Sequence, residues 1–435
     1  MDLRLNLLSL IGVYIFCILA WLLSVDRKKV PWETIKWGLG IQFFLAFIFL
    51  SFPFLLNLLS FFVSFFNFIY KLPFSNDVDV NLGIFSSIYR DANSIKSLGG
   101  TLILVIFFVF IESTKFYKKI LNVLSNFFTK TFHISGEEGL VSIFSFFFSL
   151  ESFFLAFSSI RTMGISQLFT LITVVLSSSS VFLITINTEA LGSTFPGVKG
   201  HLALASILSV FSAIVVSKII YPIGYKKDSI SKSSNSVTLW DGGIIGVKFI
   251  GGILLGGFIV ICITNLFEGV LYILGNFQDI KILNTDSMPI TLLKYIKIAL
   301  VEVFHKVTFR NLIAILLLPF CLLSGISFEL VELWRISLIF SQTILGSSDK
   351  FVNLIPMYKD GIYTDRSILL AFYLLNGSTS LAFLGMVYGG LLNVVPERSS
   401  DLYKLLLRSF PAAILSQFIT AAIIGVFDFG NPNIF

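Results

Sequence analysis

Apolar stretches about as long as a bilayer is thick recur along this chain, and they constrain it more than any other feature. A helix needs about 20 mostly apolar residues to cross the hydrocarbon core. Residues 5–25, 37–56, 98–114, 166–190, 201–221, 243–275, 367–392 and 402–427 meet that length or come close, with few charges inside. Of the 435 residues, 56% are hydrophobic and 13% charged, far more apolar surface than a soluble domain can bury. Backbone polar groups in lipid must be satisfied within the chain, which restricts spanning segments to helices or closed barrels. The runs therefore predict an all-α integral membrane protein of about eight transmembrane helices.

The charges orient these spans. The formal net charge of +6 lies beside apolar runs, which reads as cytoplasmic loop bias and not as nucleic-acid binding. After the first span comes Asp26-Arg27-Lys28-Lys29, more basic than the single Arg4 before it. A secretory signal has the opposite order, so 5–25 reads as a retained helix with its N-terminus outside. Lys115, Lys118 and Lys119 put the end of the third span inside; the polar residues 75–97 read as external and the basic loop 224–240 as cytoplasmic. Pro31-Trp32 opens an interfacial segment, and the Phe-rich residues 57–70 extend the second span or lie in the interface. Residues 120–134 and part of 277–310 are amphipathic, as surface helices are. Residues 311–325 are short for a span and carry Pro319 and Gly325 as breaks. Gly251, Gly252, Gly256 and Gly257 predict close helix contacts.

Some apolar stretches have polar centres. The segment 140–160 holds Ser142, Ser145, Ser149, Glu151 and Ser152, and a carboxylate at membrane depth is a functional-site hypothesis. The segment either crosses once or enters and turns back; the sequence leaves both readings open. The span 166–190 carries Thr173 and the run Ser177-Ser178-Ser179-Ser180, hydroxyls that can bend a helix, offer oxygens to a small cation, or pack helices together. The segment 329–358 centres on Gln342, Thr343, Gly346, Ser347, Ser348, Asp349 and Lys350. In 367–392, Asn376, Gly377, Ser378, Thr379 and Ser380 interrupt the apolar run. Unwound backbone at this depth is tolerable where it lines a cavity or is covered by protein.

These stretches repeat. Residues 140–221 and 336–427 each hold a polar-centred segment, an interrupted span and a clean span, and the flanking charges run them in opposite senses. Inverted repeats with broken helices near the midplane are a secondary-transporter design. The chain divides accordingly into 1–134 (scaffold spans and interfacial helix), 135–222 (first hairpin and transport repeat), 223–325 (scaffold span and amphipathic helices) and 326–435 (second hairpin and transport repeat). Cys17, Cys262 and Cys321 and the three histidines are scattered, without metal-ligand spacing. No phosphate loop, HExxH or serine–histidine pair points to an enzyme, and no cofactor beyond a coupling Na+ or H+ is expected.

The chain resembles the concentrative nucleoside transporter (nucleoside permease) family. VPWETIKWGLGIQF (30–43), SGEEG (135–139) with ISQLFTLIT (165–173), and GISFELVELWR (325–335) are similar to patches of that family. The strongest set is Arg366, Ser367, Tyr373, Gly377, Gly389, Gly390, Pro396-Glu397-Arg398, Asp401, Leu407–Ser409 and IIGVF (423–427), which keeps the family's order and spacing. The resemblance implies two re-entrant helical hairpins, two unwound helices, a homotrimer in the cytoplasmic membrane, and cation-coupled nucleoside uptake.

It also implies candidate sites. In the first hairpin the family's GQTEAP reads FSLESF, which makes Ser149, Glu151 and Ser152 substrate-binding candidates; its glutamate falls on Glu151 or Ser152. In the second, NEF reads Asp349-Lys350-Phe351, so a carboxylate that would accept from ribose becomes an ammonium that can only donate. The family's ribose-contacting Asn and Ser fall on Ser380 and Phe383, with Asn376 nearby. Ser145 and Ser177 to Ser180 are the cation-binding candidates, and proton coupling through Glu151 is the alternative. Lys350 motivates a second reading, transport of another, anionic, small polar solute, because a buried cation needs a partner. A third is a non-transporting membrane protein on the same scaffold.

Overall fold

The computed structural model describes residues 3–71, 92–191, 194–222, 238–276, 308–346, 351–428 except 352, 360 and 362, and residue 430. Asp349 and Lys350, and most of 275–312, lie outside the described residues. The described elements are helices: α1 (Leu3–Leu22), α2 (Trp32–Ser51), α3 (Pro53–Lys71), α4 (Ala92–Glu112) and α5 (Lys115–Thr131) come first. The second span starts five residues earlier than the hydropathy suggests and ends at Ser51, because Pro53 opens a helix of its own. Proline lacks the N–H that an ongoing helix would use, but it suits a first helical position. The Phe-rich residues therefore form α3 and do not prolong α2. Between α4 and α5 the axis turns by 83°. Thr114 caps α5, accepting from Tyr117 N at 3.2 Å.

The segment at 140–160 is α6 (Gly136–Phe148), a 3-10 stretch (Ser149–Ala156) and α7 (Phe157–Ile160). Length and composition alone would pass it as one crossing. The side chains decide otherwise. Lys218 Nζ lies 2.6 Å from Glu138 Oε1, at the start of α6, and donates to Ser166 Oγ at 3.3 Å, just after the segment has ended. Both ends therefore lie at one membrane face, and Ser149 (φ +50°) marks the reversal. This first hairpin is re-entrant.

The second hairpin is built the same way. It comprises α13 (Leu330–Leu345), closed by Gly346 in the left-handed region (φ +109°), and a return through α14 (Leu354–Lys359). Glu332, in the first turn of α13, accepts from Thr364 N at 3.1 Å and from the Ser367 hydroxyl at the start of the next span. Asn353 Nδ2 donates to Gln342 Oε1 at 3.2 Å across the hairpin.

Each hairpin precedes a broken span and a whole one. The first unit has α8 (Ile165–Ser177), α9 (Val181–Leu191) and α10 (Val198–Ile220). The second has α15 (Asp365–Leu375), α16 (Leu381–Val394) and α17 (Ser399–Phe427). Each unit is preceded by a long helix and a shorter one: α4 and α5 before the first, α11 (Leu239–Asn276) and α12 (Phe309–Leu323) before the second. The repeat thus extends beyond 140–221 and 336–427. Pro319 does not break α12, which runs through it to Leu323 and stops before Gly325 (φ +71°). With each broken pair counted as one, the described residues contain eight spans (α1, α2, α4, α8–α9, α10, α11, α15–α16, α17) besides the two hairpins.

The two units open at opposite ends. One end holds the Glu138–Lys218 pair, Arg161 with Glu397 (3.1 Å), and Arg398, which donates to the carbonyls of Ile160 and Met163. The other holds Arg366, which donates to Gly325 O, Asn6 Oδ1 and Gly425 O and pairs with Asp428 at 3.2 Å. The first end is the basic one. Gly252 and Gly256 of α11 meet Gly389 and Gly385 of α16 backbone to backbone; a Cβ on Gly389 would lie 2.0 Å from the Gly252 carbonyl oxygen. Gly251, expected to join this contact, faces open space.

Candidate functional site

The two helix breaks meet in the core. Ser178 to Ser180 separate α8 from α9, and Asn376 to Ser380 separate α15 from α16. Ser378 Oγ donates to Ser178 O at 3.0 Å, and Thr379 Oγ1 to Leu176 O at 2.9 Å. Ser179 Oγ donates back to Asn376 O. Carbonyls that a continuous helix would have used are thus satisfied across the crossing by hydroxyls of the opposite unit. Gly377 is required here: a Cβ would lie 1.6 Å from Gln417 Nε2 and 2.6 Å from Ser177 O.

The whole spans brace both breaks. Ser206 of α10 donates to Ser179 O at 2.6 Å and accepts from Ser179 N at 3.0 Å. Ser416 of α17 donates to Ser177 Oγ at 2.7 Å, and Gln417 Nε2 donates to Thr379 Oγ1. Ser177 Oγ also bonds back to Thr173 O at 2.7 Å. Ser180 and Ser380 do equivalent jobs in their own breaks, accepting from Leu183 N and Phe383 N at the first turns of α9 and α16.

Each hairpin tip reaches the break of its own unit. Ser178 Oγ lies 3.3 Å from Ser145 Oγ of α6, and Ser149 follows one turn on. In the second unit Gly346 faces Ala382, and the ring of Phe351 lies 5.9 Å from that of Phe372. Phe383, half-buried, stands in the first turn of α16.

Several polar atoms at this centre are buried without a partner among the described residues: both amide atoms of Asn376, Oε1 of Gln417 and Oγ of Ser149. Asn376 is 1% exposed. Leaving a buried donor or acceptor unpaired costs roughly 1–3 kcal/mol, so such groups await a partner such as water or a ligand. The Asn376 amide offers one donor group and one acceptor side by side.

Not every candidate residue gathers here. Glu151 accepts from Thr101 Oγ1 of α4 at 2.6 Å, on the side of the hairpin that faces the outer helices. Ser152 Oγ donates to Ser149 O at 2.6 Å within the 3-10 turn. His201 is buried in the first turn of α10, with Nδ1 3.0 Å from the Tyr373 hydroxyl. Sequence reasoning passed over Gln417, Ser416, Ser206 and Thr101. Gln417 had a signal, as an amide within the charge-free residues 409–427 of the last span. Serines and threonines in apolar helices give none, since most only bond to their own backbone.

Two family models match this chain: Na+ dependent nucleoside transporter N-terminus over residues 11–72 and Na+ dependent nucleoside transporter C-terminus over 201–425. The chain is 23% identical to solute carrier family 28 member 3 of Mus musculus and 21% identical to sodium/nucleoside cotransporter 1 of Rattus norvegicus, in each case over 97% of its length. It spans 59% and 64% of those relatives. It is 22% identical to nucleoside permease NupC of Helicobacter pylori (strain ATCC 700392 / 26695), over 98% of that protein. Its fold matches a substituted CNTnw in an outward-facing state with TM-score 0.78, and CNTnw in an inward-facing substrate-bound state with TM-score 0.64. The two share 17% and 18% sequence identity with it, and each comparison covers 97% of this chain and nearly all of the other.

Proposed function

The chain belongs to the Na+ dependent nucleoside transporter family, and on that premise we propose that it is a secondary active transporter that takes up nucleosides by alternating access, driven by a cation. The observation that carries the reading is the crossing of two broken spans around an unpaired, buried Asn376 amide. An amide that must both donate and accept suits a neutral polar solute with hydroxyls and ring nitrogens. The substrate site is formed by Asn376, Ser380 and Phe383 with the first hairpin tip at Ser149.

The coupling ion is sodium, as the family's description has it. Its oxygens come from the first break and the hairpin helix beside it: the adjacent hydroxyls of Ser178 and Ser145, with Ser177, Ser179 and Ser180 around them. Hydroxyl and carbonyl oxygens suit a hard monovalent cation, which they hold by their dipoles. Ion and substrate are coupled because the hydroxyl and the backbone of consecutive serines face both: Ser178 meets the ion site through Oγ, and Ser178 and Ser179 meet the second break through carbonyl and hydroxyl. Such coupling is what makes uptake concentrative. By the positive-inside rule the Lys218–Arg398 end is cytoplasmic, the membrane is the cytoplasmic membrane, and the assembly is a homotrimer.

The pocket reads bases less strictly than the family's motif would. Ser152 is self-satisfied and Glu151 is held by α4, so the first tip offers only the Ser149 hydroxyl. Uptake of radiolabelled uridine into proteoliposomes, with and without an inward sodium gradient, tests the reading. Saturable, gradient-driven accumulation is expected; no saturable uptake of any nucleoside would sink it.

A further inference from the structure

Two buried ring side chains lie outside the substrate and ion sites and are bonded to each other. His201, in the first turn of α10, is 0% exposed, and Tyr373, near the end of α15, is 1% exposed. Their rings stand edge to face at 5.9 Å, and His201 Nδ1 is 3.0 Å from the Tyr373 hydroxyl. One of the two donates and the other accepts, whichever tautomer the imidazole holds. His201 Nε2 is buried and has no partner among the described residues. A leucine and a phenylalanine at these positions would pack without stranding a nitrogen, so stability alone gives no reason for the pair.

The bond acts on Asn376. Tyr373 and Asn376 are three residues apart, neighbours on one helical face. Asn376 caps α15 with helical backbone angles (φ −64°, ψ −33°), and the chain unwinds after it. Its amide has no partner among the described residues to fix its rotamer, so its direction depends on the turn it stands on. Between Ser367 and Asn376 the residues of α15 are apolar except Tyr373. Apolar burial is non-directional, which leaves the Tyr373 hydroxyl as the directional side-chain anchor of that stretch.

The same bond closes a circuit on α10. Five residues from His201, about 7.5 Å along the helix, Ser206 accepts from Ser179 N and donates to Ser179 O. Ser179 Oγ donates to Asn376 O. The chain then runs back one turn to Tyr373, which returns to α10 at His201. Asn376 is thus gripped from two points of one helix. That helix is itself fixed beside His201: a Cβ on Gly200 would lie 2.4 Å from Leu56 O of α3, so the two backbones are in contact.

We infer that His201 and Tyr373 are positioning residues for the transported solute: together they aim the Asn376 amide, without touching substrate or ion themselves. This rests on the reading of Asn376 as a substrate contact. A hydrogen bond weakens steeply as its angle falls from about 150° towards about 120°, so a small rotation of the last turn of α15 lowers solute affinity while the fold persists.

Variants of the full chain, in detergent and in proteoliposomes, test this. Tyr373→Phe and His201→Leu each strand a buried polar group on the partner and lower thermal stability, whereas His201→Leu combined with Tyr373→Phe strands none and recovers it. Substrate affinity does not follow: uridine KM rises about tenfold in all three, with kcat within about twofold of the wild type. His201→Asn, whose amide reaches the place of Nδ1, keeps KM within about threefold of the wild type. Asn376→Leu added to the double variant raises KM by less than about twofold more, because the amide is already misaimed. Hydrogen exchange needs no substrate: the amides of 376–380 exchange faster in the double variant than in the wild type, and those of α17 do not. A double variant whose KM recovers along with its stability, or whose exchange at 376–380 is unchanged, overturns the proposal. If the wild type takes up no nucleoside, or Asn376→Leu alone leaves uridine uptake unchanged, the substrate reading falls instead, and the exchange comparison by itself decides whether the pair positions Asn376.

Discussion

The two inverted units solve one structural problem with different chemistry. Each has a re-entrant hairpin whose opening turn carries a buried glutamate, Glu138 or Glu332, and each glutamate sits beside the start of its own broken span. In the first unit the glutamate is neutralised directly by Lys218, 2.6 Å away. In the second it accepts hydroxyl and amide protons from Ser367 and Thr364, and the cation, Arg366, turns to Asp428 and to backbone carbonyls. The breaks differ in a matching way. The serine run of the first is saturated: Ser177 to Ser180 all have partners. The second leaves Asn376 open at both amide atoms. A saturated break holds shape and lends oxygens to a small ion, whereas an open one needs a ligand of its own. The pseudo-symmetry is therefore one of scaffold, and function lies where it fails.

The largest expected effect comes from attacking the first unit's anchor. Lys218→Ala strands Glu138 as a buried charge and should cost about 3–5 kcal/mol, read as a large drop in thermal stability in detergent. Glu138→Gln with Lys218→Met should recover most of it. Ser367→Ala in the second unit should cost less, because Thr364 still donates to Glu332. Equal losses at the two sites would erase the contrast.

The breaks give the next contrast. Asn376→Leu should lower uridine kcat/KM at least tenfold, about 1.4 kcal/mol, while leaving stability unchanged or raised, since it removes unpaired polar atoms. Ser206→Ala should do the reverse: it strips Ser179 N–H and C=O of their partner, lowering stability by roughly 1–3 kcal/mol. If Asn376→Leu destabilised the protein as much as Ser206→Ala, the second break would be no more open than the first.

A smaller effect is expected at the ion. Ser145→Ala or Ser178→Ala should raise the sodium concentration for half-maximal uptake about fivefold, a loss of about 1 kcal/mol, with the nucleoside KM moved less. The smallest concerns the base. With little at the first tip to read it, competition assays should find uridine, cytidine and adenosine within about threefold of one another, a margin of about 0.6 kcal/mol.

Much of the architecture was legible in the sequence, for reasons that differ by residue. The spans follow from hydropathy, which is a property of the segment itself, and the opposite senses of the units follow from Arg161 and the lysines of 115–130 in the first and from Arg398, Lys404 and Arg408 in the second. Ser177–Ser180 and Asn376–Ser380 announced the breaks because a run of hydroxyls, or a glycine among them, does not sustain an apolar helix. Elsewhere local signals misled. Pro319 sits within α12 without ending it, whereas Pro53, unremarked, separates two helices. Glu151 matched a glutamate by position in a motif, yet its carboxylate is held by α4. Motif position specifies where the Cα lies along the chain, but the turn type decides the direction of the side chain, and here the tip is a 3-10 stretch with Ser149 at positive φ.

By itself, then, the sequence determined that this chain lives in lipid, which end is basic, where its spans fall and that two of them are interrupted, because transfer free energy and backbone preference act residue by residue. The tertiary structure decided that 140–160 turns back and does not cross, through one lysine that touches both its ends. It also decided which hydroxyls are spent on the fold and which polar atoms remain for a ligand. A hydrogen bond is a property of pairs, and the partners of Ser179, Asn376 and Glu151 come from elements 27 to 197 residues away.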